Sequence, residues 1–164
     1  MKCLWQVRAV RAEGRGNARR SEQTTEIEAF FSRYAEAFAT RDAQALAQCF
    51  LYPCHIVGDD GEITLTVVTS VDLYLAEIIK PLFKGYRRLG VASGPIRDLR
   101  VQALSPRLRR ATVLWDVLNG QGATLYSHEA SYTLALKSSE WQICAMAYSE
   151  MREIKVLLAS MLAA

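Results

Sequence analysis

The protein has 164 residues, of which 51% are hydrophobic and 23% are charged, and its formal net charge is +3. This length is typical of a single domain with its own hydrophobic core. The four cysteines form no CxxC pair and no apolar run approaches the length of a membrane span, so the sequence excludes a zinc ribbon, a disulfide-stapled mini-protein and a transmembrane protein.

The positive charge is concentrated at the amino-terminal end. Residues 1–20 hold six basic residues against one acidic residue, whereas the rest of the chain is slightly acidic. We therefore expect a basic, disordered tail over residues 1–20 and no nucleic-acid partner. The alternatives for the tail are a start codon placed too far upstream and an arm that binds an anionic surface. The amino terminus has no continuous apolar segment, which favours a cytoplasmic location.

Two helices are predicted after the tail. From Thr25 the large apolar residues follow helical spacing, and Thr25 forms a capping box with Glu28, which predicts a helix that begins there. Asp42 predicts the start of a second, short helix that includes Phe50 and is stopped by Pro53.

A hairpin and a third helix are predicted next. Two extended runs, Cys54–Val57 and Ile63–Val68, are separated by an Asp-Asp-Gly turn, a pattern that is typical of a β-hairpin. Ser70 predicts the start of a helix that is kinked at Pro81 and ends at Gly90.

The second half of the chain predicts four strands and a closing helix. The strands follow one another directly through short turns, which predicts an antiparallel meander. The resulting order ααββαββββα predicts an α+β fold: a cone-shaped, curved antiparallel sheet with the amino-terminal helices packed on its concave face, and an extra carboxy-terminal helix. One domain is expected over residues 21–150, followed by the helix over residues 151–164. The four predicted strands of the meander are Ile96–Leu104, Ala111–Leu118, Thr124–Leu136 and Trp141–Tyr148, and the predicted closing helix is Met151–Leu162.

Two stretches of the sequence resemble one known superfamily. They are FFSRYAEAFATRDAQALAQCF in the first two predicted helices and, in the meander, ATVLWDV with SYTLALKSSEWQI. The pattern is similar to that of the nuclear transport factor 2-like superfamily, which includes ketosteroid isomerase and the SnoaL-like polyketide cyclases. The resemblance covers about residues 24–148 and implies a half-barrel that admits a small, largely apolar molecule. Members isomerise, cyclise, dehydrate or only bind and dimerise.

The resemblance carries one ketosteroid isomerase residue over to this chain. In the motif RYAEAF, Tyr34 takes the position of the tyrosine that holds the oxyanion. The position of the base falls near Gly58, with Asp59 one residue beyond it, and the position of the second acid falls near Ser131 or Tyr132. The resemblance therefore implies the fold and the cavity, without the isomerase's own pair of acids.

Alternation along the third meander strand brings further candidates to the cavity. Tyr126, His128 and Tyr132 share the more apolar face of this strand, which we expect to face the inside of the cone. His128 is then a candidate general base or acid, and Tyr34 with Tyr132 can donate hydrogen bonds to a developing oxyanion. The alternative for these residues is a structural role, as satisfied groups of the core or of the rim.

Other side chains are candidates for the cavity or its mouth. Asp116 would have a raised pKa and could pair with His128 if it faced inward, and would be a surface charge if it faced outward. Trp115, Cys54 and His55 are candidate ligand-binding residues. The cysteine and histidine pattern around position 54 does not match a zinc site, so neither a metal nor another cofactor is expected.

These features predict a small-molecule-binding protein with an apolar pocket. It is either a cofactor-independent isomerase, cyclase or dehydratase that works by proton transfer, or a binding and dimerisation module without chemistry. The expected partners are a small apolar organic molecule and a second copy of the chain, which would dimerise through the outer face of the sheet at Leu114, Leu118 and Leu125. The alternative is that the carboxy-terminal helix covers this face or caps the cavity of its own chain.

Overall fold

The computed structural model describes residues 18–163, and the side chains of residues 25–161. Most of the predicted basic tail, residues 1–17, lies outside the described residues. None of the helices in the described part is long and apolar enough to cross a membrane. The elements are α1 (Ala18–Ala39), α2 (Ala43–Gln48), β1 (Phe50–Asp59), β2 (Ile63–Val68), α3 (Val71–Tyr74), a π-helical turn (Leu75–Ile79), α4 (Lys80–Leu89), β3 (Val91–Ser93), β4 (Ile96–Ser105), β5 (Leu108–Asn119), β6 (Thr124–Lys137), β7 (Glu140–Tyr148) and α5 (Glu150–Ala163).

All seven strands of the described residues form one curved, unclosed sheet. The strand order is β2-β1-β7-β6-β5-β3, and β4 pairs with β5 alongside β3. Every pair is antiparallel except β1 with β7, which run parallel. The predicted α+β fold, with a curved sheet, amino-terminal helices and an extra carboxy-terminal helix, is confirmed. The meander strands and α5 match their predicted bounds to within three residues.

The long strand β6 decides which side chains of the sheet reach the interior. Tyr126, Ala130, Tyr132 and Leu134 are all buried, whereas the residues between them are more exposed. This is the face that strand alternation predicts to be internal. Since β6 lies between β5 and β7, its inner side chains form the centre of the concave wall.

The first helix begins earlier than its capping pattern suggests. The apolar stripe of Ile27, Phe31 and Tyr34 is almost completely buried, as its spacing predicts. However, α1 begins at Ala18, so the prediction that Thr25 starts the helix is wrong. Residues 18–24 contain no glycine or proline, and the continuing helix leaves no unsatisfied backbone N–H at Thr25 for a capping box to satisfy.

The second helix is capped as predicted but ends before Phe50. The Asp42 side chain accepts a hydrogen bond of 2.9 Å from the backbone N–H three residues on. The placement of Phe50 in this helix is wrong, because Phe50 begins β1 and pairs with Ile143 of β7. Pro53 consequently lies within a strand rather than at a helix end.

The helix after Ser70 contains a widened turn ahead of Pro81. Ser70 caps the helix through a hydrogen bond of 3.2 Å from the Leu73 backbone N–H to its hydroxyl. A proline lacks an N–H and its ring crowds the carbonyl four residues earlier, so the π-helical turn Leu75–Ile79 lies where that crowding acts. Gly90 ends the helix with a φ of 70°, as predicted.

The carboxy-terminal helix packs on its own chain. Ile154 is buried, Leu157 and Leu158 lie against the core, and α5 contacts β6 and β1. The opposite side of α5, with Val156 and Met161, is exposed. Of the two arrangements left open by the sequence for a monomer, the helix therefore lies against the inner side of the sheet, where the buried residues of β6 are found.

Truncating a leucine of the core should destabilise the protein far more than truncating an exposed leucine of the same sheet. We expect Leu134→Ala to lower the free energy of unfolding by about 2–5 kcal/mol, because it leaves a cavity in a fully buried site. Leu104→Ala, at a residue that is 45% exposed, should change it by less than about 0.5 kcal/mol. Urea unfolding monitored by circular dichroism measures both, and equal losses would contradict the assigned sheet face.

Candidate functional site

A cavity of about 210 Å³ lies between α1, the helix that follows β2 and the inner face of the sheet. Tyr34, Trp115, His128 and Tyr132, which come from α1, β5 and β6, all line this one cavity. The start of α5 adds Glu150 to the lining. The walls are mostly aromatic and aliphatic, with a few polar groups, which is the usual composition of a small-molecule site.

Two phenol groups meet on the cavity wall. The rings of Tyr34 and Tyr132 lie edge to face, with centroids 5.9 Å apart, and both side chains are almost completely buried. Burial raises the pKa of both hydroxyl groups, and Tyr132 adds to the rise at Tyr34. Both phenols are therefore uncharged at neutral pH and can act as hydrogen-bond donors rather than as bases.

The indole N–H of Trp115 lies in the same part of the cavity. It is close enough to the Tyr132 hydroxyl to oppose the burial-driven rise in the pKa of that group. It does not reach hydrogen-bond geometry, and Nε1 is buried with no hydrogen-bond partner among the described residues. A buried N–H left in this way costs about 1–3 kcal/mol of stability.

His128 lies beside a carboxylate at another part of the wall. Its side chain is only 7% exposed, and its Nε2 is 3.8 Å from Glu150 Oε2. Burial lowers the pKa of the imidazole, while the charges of Glu150 and Glu153 partly oppose this effect. The ring is therefore neutral at pH 7. We assign its proton to Nε2, the nitrogen that faces the carboxylate, which makes Nδ1 the basic atom. Nδ1 is buried and has no partner within the described part of the chain.

Glu150 is a buried carboxylate that two phenols hold in place. Its Oε1 accepts hydrogen bonds from the hydroxyl of Tyr126, at 2.9 Å, and from the hydroxyl of Tyr86. Its position at the start of α5 also places it where the helix dipole favours a negative charge. The carboxylate thus joins α4, β6 and α5 at one point.

Sequence reasoning missed Glu150 and Tyr86. Glu150 begins a helix whose fold-back onto β6 cannot be read from local patterning, and Tyr86 is 64 residues away from it. The one local signal is that Glu150 lies two residues after the end of β7, at the start of the closing helix.

Three of the predicted site residues lie away from the cavity. Asp116 accepts a hydrogen bond of 2.6 Å from the Ser127 hydroxyl and lies 3.3 Å from Arg97, so its candidate pairing with His128 is not formed. Trp115 points inward, and the next residue on a strand must point outward. Cys54 is in the core and His55 is exposed on the other face, and neither lines the cavity.

The thiol of Cys54 is also unsuited to nucleophilic chemistry. Burial raises its pKa to about 11, so it is protonated at neutral pH, and the thiolate is the reactive form of cysteine. Tyr126, the remaining predicted ligand-binding residue, reaches the site only through Glu150. Among the described residues, no cluster of three histidine, cysteine or acidic side chains could hold a metal ion.

The sequence matches the model of a family described as NTF2-like protein (DUF6841) over residues 22–151. The chain belongs to this NTF2-like family. The superfamily resemblance found in the sequence is therefore confirmed. A search of the curated proteins finds no match.

Solved structures show the same fold at low sequence identity. Aln2 from a Streptomyces species is 16% identical with a TM-score of 0.61, over 84% of this chain and 96% of that one. An NTF-2 like protein of unknown function from Shewanella oneidensis is 16% identical with a TM-score of 0.58, over 77% and 98%. A candidate ketosteroid isomerase from Shewanella frigidimarina is 9% identical with a TM-score of 0.55, over 73% and 91%.

Burial of His128 should make the NTF2-like domain less stable in mild acid. Because the folded-state pKa lies below the ordinary value of 6.5, the unfolded chain binds the proton first as the pH falls. The free energy of unfolding should therefore decrease below pH 6.5, by at most about 1.4 kcal/mol per pH unit, until the folded-state pKa is reached. Urea unfolding between pH 7.5 and 5.5 measures this slope.

Replacing each histidine in turn shows how much that residue contributes to the pH dependence of the free energy of unfolding. His128→Gln should flatten the decrease, whereas His55→Gln, at an exposed position, should leave it unchanged. A His128→Gln variant with the wild-type slope would show that the buried imidazole does not carry the effect.

Proposed function

We propose that this protein binds a small, largely apolar organic molecule in its cavity and transfers a proton on that molecule without a cofactor. The observation that carries the proposal is the pairing of His128 with the buried Glu150 carboxylate on the wall of an otherwise apolar cavity. A cavity of about 150 Å³ accepts benzene, so the volume here suits a molecule of one or two rings.

His128 supplies the base in this proposal. Its unpartnered Nδ1 takes a proton from one end of the bound molecule, and the electron pair left behind spreads through a conjugated system to a carbonyl oxygen at the other end. The Tyr34 and Tyr132 hydroxyls donate hydrogen bonds to that oxygen. Glu150, opposite Nε2, stabilises the imidazolium that forms, and its own position is held by Tyr86 and Tyr126. Return of the proton to another atom gives the product.

A second function, binding without chemistry, is favoured by one observation. Gly58 is the position that resembles the base of ketosteroid isomerase, and it has no side chain there. The neighbouring Asp59 accepts a hydrogen bond of 3.0 Å from the Gly61 backbone N–H within its own turn. A protein that has lost the isomerase acids and does not use His128 in their place would only bind its ligand.

Proton exchange distinguishes the two functions. We expect the protein to speed deuterium incorporation from D₂O into 3-methyl-2-cyclohexenone, a one-ring ketone with acidic protons at the end away from its carbonyl, followed by NMR. His128→Ala should lower the rate by ~10²–10⁴-fold, as loss of a general base does, and Tyr34→Phe should lower it far less. His55→Ala is the matched control outside the cavity.

Native mass spectrometry of the purified protein, which identifies co-purifying molecules, tests binding separately from exchange. A bound ketone or hydroxy compound with no exchange on any ketone would favour the binding module, and an active His128→Ala variant would remove His128 from the mechanism.

We also propose that the protein is a homodimer through the outer face of its sheet. This face carries an exposed apolar row on the edge strand β2, at Ile63, Leu65 and Val67, and α5 packs elsewhere. The expected centre at Leu114, Leu118 and Leu125 is less exposed than this row, so we place the interface nearer β1 and β2. An exposed apolar surface of this kind usually marks an association site.

Sedimentation tests the dimer with two matched charge substitutions. Leu65→Glu should convert the dimer to a monomer, because it buries a charge in the interface. Val156→Glu, at a residue of similar exposure on α5, should leave the dimer intact. A wild-type monomer, or a dimer that only Val156→Glu dissociates, would contradict this interface.

A further inference from the structure

The cavity contains two buried polar atoms that nothing in the described chain satisfies: Trp115 Nε1 and His128 Nδ1. In native proteins the large majority of buried polar atoms have a hydrogen-bond partner. Trp115 and His128 are directly opposite each other in the β5–β6 register, so their side chains share the inner face of the sheet. Both also line the same cavity.

The two atoms have opposite hydrogen-bonding character. An indole N–H can only donate. His128 turns its Nε2 toward the Glu150 carboxylate, so Nδ1 of the neutral ring can only accept. A ligand that satisfies both atoms must therefore present an acceptor to Trp115 and a donor to His128.

The two atoms have different neighbours in the cavity. The Trp115 N–H lies by the Tyr132 hydroxyl, whereas His128 lies by Glu150 at the start of α5. Tyr132 and His128 are four residues apart on one strand, about 13 Å between their Cα atoms. Ala130, between them on the inner face, gives the wall an apolar middle.

We propose that the ligand is an apolar ring molecule with a carbonyl oxygen, which accepts from the Trp115 N–H, and a separate hydroxyl, which donates to His128 Nδ1. This inference rests on the proposed binding function and specifies its substrate class. When the hydroxyl proton moves to Nδ1, the O–H bond breaks and its electron pair stays on the ligand, where conjugation carries the charge to the carbonyl oxygen.

Four benzenes of matched size test the two contacts separately. They are 4-hydroxyacetophenone, with both groups, 4-methylacetophenone, with the carbonyl alone, 4-isopropylphenol, with the hydroxyl alone, and 4-isopropyltoluene, with neither. Titration of the ¹⁵N-labelled full-length protein by NMR gives their affinities. We expect each group to tighten binding by about 3–10-fold, as a net hydrogen bond does, so that 4-hydroxyacetophenone binds most tightly and 4-isopropyltoluene least.

Replacing the residue that carries each nitrogen shows which residue is responsible for each gain in affinity. Trp115→Phe should abolish the gain from the carbonyl and keep the gain from the hydroxyl, and His128→Phe should do the reverse. Trp141→Phe and His55→Phe are the matched controls, because neither residue lines the cavity, and both should keep the two gains.

The outcomes separate this inference from the proposed function. Equal affinity of the four compounds for the wild-type protein would overturn the two polar contacts and leave apolar binding in the cavity intact. This result needs no variant to fold. Unequal affinities that persist in both variants would also overturn it. Failure of all four compounds to bind would contradict the proposed cavity function itself.

Discussion

The arrangement of the site depends on one buried carboxylate. Removing the charge of Glu150 from water is costly unless strong hydrogen bonds replace its hydration, and the Tyr86 and Tyr126 hydroxyls supply them. Burial and the carboxylate together raise the pKa of both phenols, so they remain donors. Because the three residues lie on α4, β6 and α5, satisfying this charge fixes the closing helix against the sheet and sets the orientation of His128.

The same carboxylate matters for the proposed role of His128 as a base in an apolar cavity. Burial keeps the His128 imidazole neutral. In the proposed reaction, the Glu150 carboxylate would stabilise the imidazolium that forms when His128 takes up a proton. The phenols of Tyr34 and Tyr132 are also neutral. Around His128 and the two phenols, the cavity therefore combines the Glu150 carboxylate with uncharged donors, which suits the proposed ligand, a molecule that is apolar until a proton moves.

The sequence predicts the parts of this structure that depend on local periodicity. The buried stripe of α1 and the inner face of β6 follow from residue spacing, and they bring Tyr34, His128 and Tyr132 to one cavity. Phe50 was misplaced because its strand is determined by β7, about ninety residues later. Asp116 stayed ambiguous because both faces of β5 are apolar, and Glu150 was missed because only the fold-back of α5 buries it.

The parallel pairing of β1 with β7 has a consequence for the order of folding. The β1–β2 hairpin is made before the meander, but its inner neighbour in the sheet is β7, the last strand of the described residues. During translation the hairpin therefore leaves the ribosome with one edge unpaired. The apolar face of α1 also remains uncovered until the meander strands have been made. Because such long-range pairings are slow to form, we expect the nascent chain to expose a sheet edge and apolar surface until β7 has emerged, and to be most prone to aggregation during that interval.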